Sequence, residues 1–149
     1  MPASVPGRDH ARGFMTHLAT LPSSLASMPR DQWDRVLYAI VLNDILEPLT
    51  YVLGRNRMTL QDVLSLGQEG VGTLIDDLPS RRVDVHLHRQ VLKNPAVTPK
   101  LTDLEDWAAL GPASAHCDTV VCERHFASLL LRDGFRPRAR VLTNLARLC

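Results

Sequence analysis

Trp33, Val36, Leu37, Ile40, Val41, Ile45 and Leu49 recur at intervals of three and four residues, the spacing that lines one broad face of an α-helix. Asp31 stands where a carboxylate can cap this helix. Pro48 has no amide hydrogen to donate, so the helix kinks or restarts there and ends near Gly54. Ahead of it, Phe14, His17, Leu18 and Leu21 predict a first helix over 10–21, closed by Pro22, Ser23 and Ser24. Behind it, Thr59 is placed to cap a helix carrying Leu60, Val63, Leu64 and Leu66. Gly67, Gly70 and Gly72 then lower helix propensity and predict a break within 67–72, before Leu74 and Ile75 resume it.

From Ser80 the pattern fits two periods. Val83, Val85 and Leu87 alternate like a strand, while Val83, Leu87, Val91 and Leu92 recur like a helix. The helical period covers the longer window and is preferred. Pro95 and Pro99 predict a loop over 93–100. Thr102 caps a helix with Leu104, Trp107 and Ala108, continuing into the small residues Gly111 to Ala115. Thr119 to Cys122 reads as a short buried strand, Phe126, Leu129 and Leu130 as a helix stopped by Gly134, and Arg140 to Thr143 as a second strand. Leu145 and Leu148 mark a closing turn. Helix, strand, helix, strand in that order predicts an α/β arrangement with a small parallel sheet.

A chain of 149 residues fits one domain, with a helical region over 1–77 and a mixed region over 78–149. The formal charge of +1 provides no global field for nucleic acid or an acidic membrane. Residues 1–12 lack the apolar core of a signal peptide. The apolar run Val36 to Leu46 contains Asn43 and Asp44 and is shorter than the roughly 20 residues that span a bilayer; it is expected to be a buried helix. Three cysteines, Cys117, Cys122 and Cys149, do not make a secreted disulfide framework. A cytoplasmic location is expected, with Cys117 and Cys122 as buried small hydrophobes that do not bridge.

The candidate chemistry lies in the mixed region. The glycines of 67–72 match neither a phosphate loop nor a dinucleotide turn. His86 and His88 would splay over ~200° on a helix, and are expected to be partly exposed beside Arg81, Arg82 and Arg89. Asp103 and Asp106 fall one helical turn apart, near enough to share a divalent cation, although a carboxylate in a first helical turn is also favoured by the dipole. Asp118 begins the first strand and Glu123 follows its end. Ligands of parallel sheets collect beyond strand carboxyl ends, which favours Glu123 over Asp118. Arg124 and His125 follow directly and could meet phosphate.

Four segments taken in order are Leu78-Pro79-Ser80-Arg81-Arg82-Val83, Leu92-Lys93-Asn94-Pro95, Thr102 to Leu110, and His116 to Phe126. This ordered set, over roughly residues 78–148, resembles a group of uncharacterised bacterial proteins of PIN-like character. The resemblance implies a helix-rich PIN-like α/β domain and, if active, a Mg²⁺- or Mn²⁺-dependent ribonuclease. It implies that Asp103, Asp106 and Glu123 are catalytic, that these with Asp118 hold metal, and that Arg81, Arg82, Arg124 and His125 steer RNA. Two departures weaken that expectation: Cys122 stands where the pattern has Thr or Ser, and residues 1–30 contain no hydrophobic strand with an essential Asp. Either the first strand is lost or the chain is a fragment. The alternative is a non-catalytic protein-interaction module or homodimeric scaffold. If the first strand is absent, the stripe over 33–51 is left partly uncovered and is expected to dock a second copy or a constitutive partner.

Overall fold

The structure, a computed structural model, describes residues 25, 27–94, 100 and 103–147. The helix expected over 10–21 and the cap at Thr102 lie outside the described residues.

Helix α1 spans Arg30–Asp44 and α2 spans Leu46–Arg55, with the two axes bent by 68° at Ile45. The restart puts Pro48 in the first turn of α2, where an amide has no acceptor within the helix and its loss costs nothing. Pro29, not Asp31, occupies the cap position of α1, and Asp31 lies in its first turn, where the dipole favours a carboxylate. Helix α3, Leu60–Leu64, begins as its sequence predicts. Thr59 Oγ1 accepts from the Asp62 amide at 3.3 Å, and Asp62 Oδ2 accepts from the Thr59 amide at 2.6 Å, a reciprocal capping box.

The expected glycine break comes earlier, at Ser65 and Leu66, and Gly70 and Gly72 lie inside α4, Gly67–Asp76. Gly67 alone makes the turn, with φ of 71° that an L side chain rarely adopts. Helix α5, Pro79–Lys93, confirms the longer period. Helix α6 covers Asp103–His116 with Pro112 inside it. Strand β1, Thr119–Val121, helix α7, Arg124–Leu130, and strand β2, Arg140–Leu142, complete the order. The strands pair in parallel, Thr119 with Arg140, Val120 with Val141 and Val121 with Leu142.

Two apolar cores share α5. Val85 and Leu92 join Leu37, Val41, Leu42 and Ile75 on one side. Val83, Leu87 and Val91 join Trp107, Leu110, Val120, Phe126 and Leu130 on the other. With a core on each side, the middle of α5 has no solvent face. This overturns the expectation of partly exposed histidines: His86 is 4% and His88 2% exposed. They do splay apart. His86 Nε2 donates to the Leu129 carbonyl at 3.0 Å and its ring stacks on Phe135 at 4.1 Å. His88 Nδ1 donates to the Asp84 carbonyl at 2.7 Å and its ring meets Trp107 edge-on at 5.1 Å.

The stripe of α1 is buried at its centre and partly exposed at its edges. Leu37 and Val41 are fully buried, and Trp33, Val36, Ile40, Ile45 and Leu49 pack against the same core. The largest apolar exposure lies at the end of the 33–51 region and just past it, at Tyr51 (67%) and Val52 (53%). Among the described residues no single helix is long and apolar enough to cross a membrane. Cys117 and Cys122 are free thiols, but Cys117 is exposed, not buried, because it leaves the last turn of α6 at the junction with β1.

Candidate functional site

The parallel register brings two chain segments to one end of the sheet: Cys122 and Glu123 after β1, and Thr143, Asn144 and Leu145 after β2. Helix α6 supplies the opposite wall through Asp106, Ala109, Leu110 and Ala113, and the space between is a cleft of about 570 Å³. The alanines keep the wall low, while Leu110, Val120 and Phe126 form an apolar floor. Its two carboxylates, Asp106 and Glu123, are both exposed. Cys122 is half-buried there, and burial, with the Asp106 carboxylate nearby, pushes its thiol above the ordinary value. A thiol held neutral in this way is a poor nucleophile.

The expected site residues divide among several places. Asp106 and Glu123 both line the cleft, and Glu123 Oε2 lies 3.3 Å from Nδ1 of His125. The His125 ring in turn rests against Phe126 at 4.0 Å. Asp103 is not part of the lining; its Oδ2 accepts the Lys100 amide at 2.7 Å and closes the turn that starts α6. Asp118 precedes β1, at the far end of the sheet, where its carbonyl accepts the Arg140 amide at 2.8 Å. Arg81 pairs with Asp84 at 2.9 Å, and Arg82 lies over the Phe135 ring at 5.4 Å. Arg124 lines a shallower depression beside the cleft, with Ser128, Arg132 and Thr143.

A divalent cation of the magnesium type needs several oxygen donors in one place. Among the described residues no group of three His, Cys, Asp or Glu side chains could hold a metal ion. Of the four carboxylates that the PIN-like resemblance assigns to a metal, Asp106 and Glu123 line the cleft, while Asp103 and Asp118 stand apart from it.

Sequence reasoning passed over Thr143 and Asn144, although the rule that selected Glu123, position beyond a strand's carboxyl end, applies to them equally. It also missed Asp84, whose carboxyl is pushed up to about 6 by burial, against the pull of Arg81. The missing Cβ of Gly111 makes room for that carboxylate, since a Cβ there would lie 2.7 Å from Asp84 Oδ1. No family model, curated protein or solved structure matches the chain.

Proposed function

We propose that the chain is a non-catalytic protein-interaction module that receives its partner at the cleft beyond β1 and β2. The observation that carries this reading is the dispersal of the acidic residues. Asp106 and Glu123 share the cleft, Asp103 is engaged by the Lys100 amide, and Asp118 stands at the other end of the sheet. What remains is a concave surface with an apolar floor and a polar rim, the kind of surface that binds through shape and a few charges.

The test sets this reading against metal-dependent RNA cleavage. A labelled single-stranded RNA is incubated with Mn²⁺ and either the unaltered chain or the double variant Asp106→Asn, Glu123→Gln. The two are expected to leave the RNA equally intact, and calorimetry is expected to give Mn²⁺ affinity no tighter than millimolar. Cleavage that disappears in the double variant would overturn the module reading and restore a ribonuclease.

A further inference from the structure

The cleft and the shallower depression are neighbours with Thr143 as a common wall. Their charges are opposite. Asp106 and Glu123 belong to the cleft, Arg124 and Arg132 to the depression, and all four side chains are exposed. Among the described residues neither arginine makes an ion pair, and nor does Asp106; Glu123 meets only His125. Charges of both signs thus stand side by side without neutralising each other internally. Apolar surface accompanies both, through Val121 on the cleft and Leu131 on the depression, each a large hydrophobic side chain left exposed.

Resting on the interaction-module reading, we infer that the two depressions form one charge-divided site for an extended peptide segment bearing a basic and an acidic side chain. The basic side chain enters the cleft. Its aliphatic stem lies along Leu110, Val120 and Phe126, and its head reaches Asp106 and Glu123. The acidic side chain crosses Thr143 to Arg124 and Arg132, whose planar donors suit a carboxylate. In an extended chain, side chains two residues apart point the same way and stand about 7 Å from each other, which makes one peptide able to serve adjoining depressions. A nucleic acid fits less well, because its phosphates would face the cleft carboxylates.

The experiment uses the full chain labelled with ¹⁵N and three acetylated, amidated pentapeptides: Gly-Lys-Val-Glu-Gly, Gly-Lys-Val-Lys-Gly and Gly-Glu-Val-Glu-Gly. The mixed-charge peptide is expected to shift amides of 106–113, 120–126 and 143–145, and to bind about tenfold more tightly than either same-charge peptide. Arg132→Glu should transfer the preference to the two-lysine peptide, and Asp106→Lys to the two-glutamate peptide. Both positions are exposed, and retained helical circular dichroism would show that the variants fold. Binding of the two-lysine peptide at the cleft, sensitive to Asp106→Lys and indifferent to Arg132→Glu, would overturn the divided site while leaving the module reading intact. An absence of cleft shifts with all three peptides at millimolar concentration would also overturn it. The module reading itself fails on a separate result, the carboxylate-dependent cleavage of RNA.

Discussion

The two cores on either side of α5 are built by different chemistry. On the N-terminal side Leu25, Leu37, Val41, Leu42, Ile75, Val85 and Leu92 make an aliphatic core. Its polar links stay at the edge: Arg89 to Asp34 at 2.7 Å and Tyr38 to Asp76 at 2.8 Å. On the C-terminal side the core includes Trp107 and Phe126, and polar groups enter it, with His86 bonded to the Leu129 carbonyl and Gln90 to Asp133. The aliphatic core needs only correct spacing. The other also needs specific partners, since a buried polar group without one costs free energy. The cleft opens from this second core, so the part of the molecule with the stricter internal demands also presents the candidate site.

The largest expected effect tests whether the cores are separate at all. Leu37 and Leu87, one from each core, are both fully buried. Truncating either to alanine should cost about 3 kcal/mol, within the usual range for buried leucine. Trp33 packs on the first core and Trp107 lies in the second, so Trp33→Phe and Trp107→Phe leave a fluorescent reporter in one core at a time. Urea unfolding of each single-tryptophan chain is expected to show one transition, whose midpoint Leu37→Ala and Leu87→Ala both lower whichever core holds the reporter, because α5 belongs to both cores. A reporter displaced only by the leucine truncation in its own core would show that α5 does not couple them.

Asp84 sharpens the comparison through pH. Its folded pKa is raised from 3.8 to about 6, so the native state holds the proton more tightly than the unfolded chain. Stability from this group is therefore present near pH 4 and is lost as pH rises through 6. Asp84→Asn removes the buried charge and keeps the shape. It should stabilise the protein at pH 7.5 by up to roughly 3 kcal/mol, the gain fading toward pH 4. His86 acts in the opposite sense: burial lowers its pKa, so its contribution is present above pH 6.5 and is lost on acidification. That contribution is common to both proteins and cancels when their stabilities are subtracted. An advantage of Asp84→Asn that does not change between pH 4 and 7.5 would show that Asp84 titrates normally.

Gly111 addresses the same contact from α6. Adding a methyl group would bring Cβ to 2.7 Å from Asp84 Oδ1 and 3.6 Å from the Ser80 carbonyl oxygen. Gly111→Ala should destabilise by about 1–3 kcal/mol despite the better helix propensity of alanine, because the packed carboxylate must move. Combined with Asp84→Ala the cost should shrink, since the obstructing oxygens are gone. Equal costs in both backgrounds, measured by urea unfolding, would argue that the strain lies elsewhere.

These residues also show what the sequence could convey. The stripe of α1, the Thr59 cap, the period of α5 and the strand order were legible because each depends on neighbours a few residues away. That α5 is buried on both sides was not. His86 and His88 read as partly exposed, and what covers them, Trp107, Leu129 and Phe135, comes from segments up to 49 positions later. At α1 the stripe is met by Ile75, Val85 and Leu92 at its centre, over Leu37 and Val41, while its edges stay partly exposed. At the site, topology pointed to Glu123 and helical spacing to Asp106, and both line the cleft. Spacing alone could not show that Asp103 turns back to the Lys100 amide.

The smallest expected effect returns to the N-terminal core. Gly72 lies within α4, its φ is not positive, and a Cβ there would meet the Tyr38 ring at 3.5 Å, an ordinary van der Waals contact. Alanine removes backbone freedom from the unfolded chain and adds a contact without displacing anything. Gly72→Ala should therefore stabilise by about 0.5–1 kcal/mol, opposite in sign to Gly111→Ala, although both glycines are buried helical positions. The opposition follows from what each Cβ meets: the flat side of a partly exposed ring on α1 in one case, a buried carboxylate in the other. Thermal unfolding of the two variants side by side measures the difference. A loss for Gly72→Ala similar to that of Gly111→Ala would mean that α1 and α4 pack as tightly as α5 and α6, and that the aliphatic core also tolerates no added atom.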